Sequence, residues 1–144
     1  MQRDWNGEVR TVLFICTHNS ARSQMAEGLV NALYSKVLRA SSAGTRPTEV
    51  HPMTVKAMAE LGIDISGQRS KALSGFEGET FDYVVMVCSD AAETCPFFPG
   101  GKEQIHQAFD DPVAVEGTEA ERMAAFRETR NEINKWIIEN LVLR

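Results

Sequence analysis

Residues 9–34 read VRTVLFICTHNSARSQMAEGLVNALY, and this stretch decides the fold class. Its beginning, residues 9–15, is a short, β-branched and nearly continuous apolar run, which is typical of a strand covered on both faces. Further on, apolar residues recur at intervals of four among polar ones, at Ala21, Met25, Leu29 and Leu33. That spacing predicts an amphipathic helix running to about residue 34. A buried strand leading directly into a helix is the repeating unit of parallel α/β sheets.

The rest of the chain continues this alternation of strands and helices. Further strands are predicted, from β-branched and aromatic residues, at 37–41, 81–87 and 104–109. Pro52 and Gly62 bracket a helix, because proline favours the first turn and glycine the position just past the end. Thr118 and Glu121 have the spacing of a capping box that opens the last helix. Segment 66–80 is rich in glycine and serine, and we expect a long surface loop with a short helical piece.

The size of the chain sets the number of domains. At 144 residues it can bury one hydrophobic core but not two ordinary ones. We therefore expect one domain over residues 1–144, in which residues 1–8 form a short N-terminal extension. Right-handed crossovers between its strands predict a parallel sheet with helices on both faces.

Charge and hydropathy exclude several classes of function. The net charge is -5 and no face is rich in lysine or arginine, so a nucleic-acid-binding role is excluded. No apolar run approaches the roughly 20 residues that span a bilayer, and residues 1–8 do not resemble a secretory signal. We expect a cytoplasmic protein with no membrane contact. In that reducing compartment its three cysteines are free thiols, metal ligands or redox groups.

Three reactive side chains follow predicted strands. Cys16, Cys88 and Asp111 each stand at or just beyond the end of a strand. In a parallel sheet the ligand crevice lies outside the carboxyl ends of the strands, so these residues should share one rim. Any one of them alone would be an ordinary buried cysteine or a turn aspartate. Their coincidence at one rim favours a functional site.

The pattern Cys-x5-Arg-Ser between a strand and a helix predicts an oxyanion-binding loop. Its residues are Cys16, Thr17, His18, Asn19, Ser20, Ala21, Arg22 and Ser23. Backbone N–H groups of such a loop converge with the helix N-terminus on one point, where a tetrahedral dianion fits. Arg22 can direct two donors at that anion, and the same positive field favours the thiolate form of Cys16. Ser23 could donate to the sulfur, and Asn19 tolerates left-handed backbone.

The remaining histidines and cysteines leave alternatives open. His18 could act as a base, although residues in the middle of such loops normally point outward. A zinc site could form from Cys88, Cys95 and a histidine, but no Cys-x2-Cys or His-x3-His spacing supports it, and we predict no metal. His51 and His106 are expected at the surface or behind the site.

Residues 16–28 resemble the low-molecular-weight tyrosine phosphatase superfamily and, more closely, its thioredoxin-coupled arsenate reductases. Blocks that match the family in order and interval extend over nearly the whole chain, at 42–44, 62–66, 88–90 with 95–96, and 109–112. The resemblance implies a three-layer αβα sandwich around a four-stranded parallel sheet of order 2-1-3-4.

The resemblance also implies a reaction that reduces arsenate to arsenite. Cys16 would form a covalent arseno-adduct, Cys88 would attack it to release arsenite, and Cys95 would take over the disulfide. Asp111 would protonate the departing oxygen, and thioredoxin would reduce the Cys88–Cys95 disulfide. Phosphate and sulfate would compete with arsenate in the loop. No bound cofactor is implied, and we expect a monomer.

One subgroup of the family binds potassium beside its active site. Asn19, Glu27 and Ser42 match potassium ligands of that subgroup, but Arg69 and Lys71 stand where it has a threonine and an aspartate. These cationic replacements predict that potassium is not bound. Lys71 itself could supply the positive charge.

Two other functions compete with arsenate reduction. A phosphomonoester hydrolase of the tyrosine phosphatase type shares the loop and Asp111, but it has no use for Cys88 and Cys95. The substrate-recognising aromatics of such phosphatases are also missing after Pro112. A thiol sensor or an oxyanion-binding regulator would also need the loop, but it would not need Asp111 as a general acid. Reductases linked to glutaredoxin or mycothiol receive their second thiol from outside, which leaves the internal pair unexplained.

Overall fold

The computed structural model of the protein describes residues 8–88 and 97–143. Its strands are β1 (Arg10–Cys16), β2 (Leu38–Gly44), β3 (Phe81–Met86) and β4 (Gly101–His106). Its α-helices are α1 (Arg22–Leu33), α2 (Pro52–Ala59) and α3 (Glu119–Ile137). Short 3-10 turns cover Leu73–Phe76 and Pro112–Ala114, and a π-helical turn, Ile138–Val142, continues α3.

The four strands form one parallel sheet of order β2-β1-β3-β4, as predicted. Ile15 of β1 pairs with Ala43 of β2 on one side and with Met86 of β3 on the other. Since β1 and β3 are the central strands, Cys16 and the residues after Met86 emerge side by side. The carboxyl ends of all four strands lie at one rim, which is where the sequence places its reactive residues.

Alternate side chains of β1 enter two separate cores. Val12, Phe14 and Cys16 belong to the larger core, which α1, α2 and α3 complete. Leu13 and Ile15 belong to the smaller core, which the 3-10 turn and Phe98 help to cover. Burial on both faces explains why residues 9–15 are almost continuously apolar.

Two strands have bounds that differ by three residues from the predicted ones, whereas the other two agree to within one residue. The first of them, β4, occupies 101–106, whereas the sequence predicts 104–109. It is an edge strand that is only partly buried, so its first residues are polar and give no hydrophobic pattern. The second, β2, continues past the predicted end at residue 41 to Gly44, because pairing with β1 outweighs the weak strand propensity of Ser42 and Ala43.

The predicted helix signals and loop are confirmed. Pro52 occupies the first turn of α2, and Gly62 has a φ of 77°, a left-handed conformation that suits glycine. Thr118 and Glu121 form the capping box of α3. Segment 66–80 contains the short 3-10 turn and, at Ala72, an isolated parallel bridge to Gly44. Within the described ranges, no helix is long and apolar enough to cross a membrane.

Candidate active site

The loop between β1 and α1 is held from outside by the connection between β2 and α2. The carbonyls of Thr17, His18 and Ser20 accept hydrogen bonds from the N–H groups of Arg46, Thr48 and His51, at 2.9, 3.2 and 3.1 Å. A trans peptide directs its C=O and N–H groups to opposite sides. The N–H groups of the next residues, His18, Asn19 and Ala21, therefore point away from this connection. That arrangement suits a loop whose amides bind an anion.

Gly44 lets the end of β2 approach the loop. A Cβ at this position would lie 2.5 Å from the carbonyl oxygen of Thr17 and 2.9 Å from the amide nitrogen of Asn19. Both atoms belong to the backbone of the loop, which could not give way without changing the oxyanion cradle. Only glycine fits here, which accounts for the end of the block at 42–44.

Asn19 fixes the shape of the loop. It is buried and has a φ of 51°, which confirms the left-handed conformation that the sequence predicts. Its Nδ2 donates to the hydroxyls of Ser23 (2.7 Å) and Ser42 (3.0 Å). Its Oδ1 accepts from the backbone N–H of Lys71 and from Nε2 of Gln24, both at 2.8 Å. The side chain thus ties the loop to β2 and to the segment before the 3-10 turn.

Cys16 is a buried free thiol with one close hydroxyl partner. Its Sγ lies 2.8 Å from Oγ of Ser23. Since Ser23 already accepts a hydrogen bond from Asn19, its own proton is available for the sulfur. A donated O–H stabilises the thiolate, and the N-terminus of α1 adds its positive partial charge. The arrangement therefore suits a nucleophilic role for Cys16.

Arg22 and Asp111 face each other beside Cys16. The guanidinium is buried, with Nη2 lying 3.6 Å from Oδ2 of Asp111 and Nη1 donating to the carbonyl of Phe109 at 3.3 Å. Oδ1 of Asp111 accepts from the N–H of Val113, which caps the following 3-10 turn. The carboxyl group is thus held in the wall of the cavity that contains the loop. A cavity of about 250 Å³ contains Cys16, Arg22 and Asp111 in its lining.

Lys71 is joined to the loop by a chain of buried and half-buried contacts. Its Nζ lies 3.4 Å from Oε1 of Glu27 and donates to the carbonyl of Arg69 at 2.9 Å. The same Glu27 oxygen accepts a short 2.5 Å hydrogen bond from Ser42. Ser42 in turn contacts Asn19, so the ammonium group lies at the end of a path that reaches Cys16. Among the described residues, no cluster of three or more His, Cys, Asp and Glu side chains could hold a metal ion.

Cys88 lies at the end of the strand next to Cys16. The N–H of Val87 donates to the carbonyl of Ile15 at 2.8 Å, which keeps the two strands paired up to the rim. Cys88 is fully buried and disulfide-bonded. Cys95, which the family resemblance pairs with Cys88, lies outside the described residues.

The expectation that His51 lies at the surface or behind the site is wrong, whereas His106 is exposed at the surface as expected. His51 contributes to the wall of the active-site cavity, and Nε2 of His106 lies 3.0 Å from the carbonyl oxygen of Cys88. His51 stands before Pro52, a sign that it is a helix cap, but nothing local shows that the cap faces the loop. Burial lowers the pKa of His51, as does the charge of Arg122, whereas Asp111 and Glu49 act in the opposite direction.

Comparison with known proteins places these features in a family. The model of the low molecular weight phosphotyrosine protein phosphatase family matches residues 11–141. An arsenate reductase of Halalkalibacterium halodurans is 44% identical over 89% of this chain and 92% of its own length. An arsenate reductase of Bacillus subtilis is 42% identical over 88% of this chain and 91% of its own length.

Solved structures of arsenate reductases and of a tyrosine phosphatase have the same fold as this chain. One of an arsenate reductase in the reduced state superposes with a TM-score of 0.75 at 30% identity, covering 94% of this chain and 98% of that one. A thioredoxin-dependent arsenate reductase of Corynebacterium glutamicum has a TM-score of 0.65 at 26% identity, covering 94% and 64%. A low molecular weight protein tyrosine phosphatase from T. tengcongensis has a TM-score of 0.68 at 26% identity, covering 93% and 98%. The chain belongs to the low molecular weight phosphotyrosine protein phosphatase family, and within that family it stands with the arsenate reductases.

Proposed function

We propose that this protein reduces arsenate to arsenite. Relatives that carry the name arsenate reductase are 42 to 44% identical over about nine tenths of their length. The site supports the same chemistry, because it combines a loop suited to a tetrahedral oxyanion with a buried free thiol. The loop residues 17–23 hold the oxyanion through their N–H groups and the guanidinium of Arg22.

The first step is nucleophilic displacement at arsenic. The thiolate of Cys16 forms a sulfur–arsenic bond, and the oxygen opposite the sulfur departs with its bonding electrons. Asp111 donates the proton that lets this oxygen leave as water, since a carboxyl group on the cavity wall can act as general acid. Arg22, which lies 3.6 Å from Asp111, is placed to hold the charge of the remaining oxygens.

The second stage transfers two electrons to arsenic through thiols. The thiolate of Cys88 attacks the sulfur of Cys16, and the electron pair of the sulfur–arsenic bond leaves with arsenic as arsenite. Cys95 then attacks Cys88, which releases Cys16 as a thiolate and leaves a Cys88–Cys95 disulfide. Thioredoxin supplies the dithiol that reduces this disulfide. The thioredoxin-dependent enzyme of Corynebacterium glutamicum, which shares the fold, supports that choice of reductant.

One observation favours arsenate reduction over phosphatase activity. The two cysteines of the described part of the chain emerge from adjacent central strands, and their redox states differ. Cys16 is a free thiol while Cys88 is disulfide-bonded. This is the state that the relay reaches once arsenite has left and before the reductant has acted. A phosphatase would use Cys16 in the same way and leave Cys88 without a role.

The contacts of Lys71 also bear on cofactor requirements. A potassium ion would need the oxygens of Glu27, Ser42 and Asn19, but the ammonium group already lies beside Glu27. The residues therefore do not fit a potassium site. We propose that the enzyme works as a monomer without a bound metal ion or cofactor.

Two assays on one variant separate reductase from phosphatase. Cys88→Ser should abolish multiple-turnover arsenate reduction, with a loss of at least about two orders of magnitude, because the adduct can no longer be attacked. Hydrolysis of para-nitrophenyl phosphate needs only Cys16, Arg22 and Asp111, so any activity of the wild type should persist in the variant. Undiminished arsenate reduction by Cys88→Ser would refute the relay. A wild type that hydrolyses the ester efficiently and does not reduce arsenate would establish the phosphatase.

A further inference from the structure

His51 forms part of the cavity that holds Cys16 and Asp111. Its backbone N–H donates to the carbonyl of Ser20 at 3.1 Å, which fastens it to the oxyanion loop. Its ring packs against Phe126 with centroids 5.2 Å apart. Both contacts restrict the imidazole to one position on the wall.

Hydrogen bonding determines which ring nitrogen of His51 carries the proton. Nδ1 accepts the N–H of Met53 at 3.1 Å and so caps α2. An accepting nitrogen has no proton, so the neutral ring carries its hydrogen on Nε2. Within residues 8–88 and 97–143, no group accepts a hydrogen bond from this Nε2–H. The cavity wall thus holds a rigid N–H donor that the fold itself does not use.

The surroundings of His51 keep its ring neutral. The charged groups that act on it are Arg122 from α3, Asp111 from the connection after β4 and Glu49 from its own connection. Burial and the charge of Arg122 lower the pKa of His51 below its ordinary value of 6.5, against the weaker effects of the two carboxylates. Protonation would also place a hydrogen on Nδ1 and break the cap of α2. At neutral pH the side chain is an uncharged donor.

We propose that His51 is a specificity-determining residue that donates its Nε2–H to the outermost oxygen of the bound oxyanion. The loop and Arg22 hold the oxygens nearest Cys16, and the fourth oxygen points toward the mouth, between Asp111 and His51. An inorganic oxyanion presents a bare oxygen there, whereas a phosphomonoester carries its organic group at the same place. His51 thereby favours inorganic arsenate and phosphate over esters. This inference rests on the proposed function, which it extends from reaction to substrate choice.

A pair of variants separates this role from the capping role. His51→Asn retains an oxygen that can cap α2 but removes the Nε2–H donor, whereas His51→Ala removes both. The binding of inorganic phosphate, measured by calorimetry, requires no turnover. We expect the Kd for phosphate to rise about 3- to 10-fold in His51→Asn, as loss of one hydrogen bond implies. The ratio of kcat/KM for arsenate to that for para-nitrophenyl phosphate should fall by a similar factor.

Thermal unfolding supplies the structural control. Both variants lose the ring contact with Phe126, and His51→Ala should have the lower Tm because it also loses the helix cap. Wild-type phosphate affinity and an unchanged substrate ratio in His51→Asn would overturn the proposal. If the wild type does not reduce arsenate while His51→Asn still weakens phosphate binding, the proposed function fails and the role of His51 stands.

Discussion

A single buried asparagine organises the nucleophile. Asn19 occupies a left-handed conformation and donates to Ser23, which leaves the hydroxyl proton of Ser23 free for the sulfur of Cys16. The motif and its asparagine were recognisable in the sequence, because strand, loop and helix are contiguous. The sequence does not reveal the placement of His51, because that placement depends on the connection at 46–51, which folds back along the loop. Such a long-range contact leaves no periodic signal in the chain.

Asp111 distinguishes an enzyme from an oxyanion-binding protein. In Asp111→Asn the amide oxygen can still cap the 3-10 turn, but no proton is available for the departing oxygen. We expect kcat for arsenate to fall about 100- to 1000-fold, the usual contribution of a general acid. Phosphate affinity, measured by calorimetry, should stay within about threefold or improve, because a negative charge has been removed near the anion. The exposed neighbour Asp110 offers a matched control, and Asp110→Asn should leave kcat unchanged. Equal activity of the two variants would favour the binding protein.

At the scale of elements, the segment before the 3-10 turn completes the site. Ala72 forms an isolated parallel bridge with Gly44, and the N–H of Gly44 donates to the carbonyl of Lys71 at 2.9 Å. These contacts hold the ammonium of Lys71 beside Glu27. The secondary structure of segment 66–80 is the hardest to predict from the sequence, because its glycines and serines show no hydrophobic periodicity. The sequence misplaces edge strand β4 by three residues, because the first residues of this strand are polar and only partly buried.

Potassium dependence tests the role of Lys71. Arsenate turnover should be equal in KCl and NaCl of the same ionic strength, because the ammonium group takes the place of the cation. Lys71→Met should lower kcat, since Glu27 then has no cationic partner at the end of the path to Cys16. Lys56→Met, which breaks an exposed ion pair with Glu119, should not change kcat. Strong activation of the wild type by potassium would contradict this account.

The contact between α2 and α3 depends on a buried arginine. Nη1 of Arg130 donates to the carbonyl of Ala57 at 2.7 Å and to Glu60 at 3.0 Å. Arg130→Met leaves the carbonyl near the end of α2 without this donor, and we expect the free energy of urea unfolding to fall by about 1 to 3 kcal/mol. Arg127→Met removes a more exposed partner of Glu60 and should cost clearly less stability than Arg130→Met, because solvent screens an exposed ion pair. Equal losses of unfolding free energy in the two variants would show that the buried hydrogen bond stabilises the protein no more than the exposed ion pair does.

At the scale of the whole molecule, every strand of the sheet contributes to one rim. The central strand β1 leads into the loop, and its neighbour β3 leads to Cys88. The connection after β2 supplies His51, and the connection after β4 supplies Asp111. This convergence was predictable, because ligand crevices of parallel sheets lie at the carboxyl ends of their strands. The exact partners of each side chain could not be predicted from the sequence, since they depend on loops that pack across the sheet.

In the proposed relay three thiols act in succession, and Cys95 is the one whose loss isolates the final step. The measurement is arsenate-dependent NADPH oxidation in the presence of thioredoxin and thioredoxin reductase. The wild type should sustain NADPH oxidation over many turnovers, whereas Cys95→Ser should show none and should release about one arsenite per molecule, measured directly, with Cys16 then joined to Cys88. Sustained turnover by Cys95→Ser at the wild-type rate would contradict the relay.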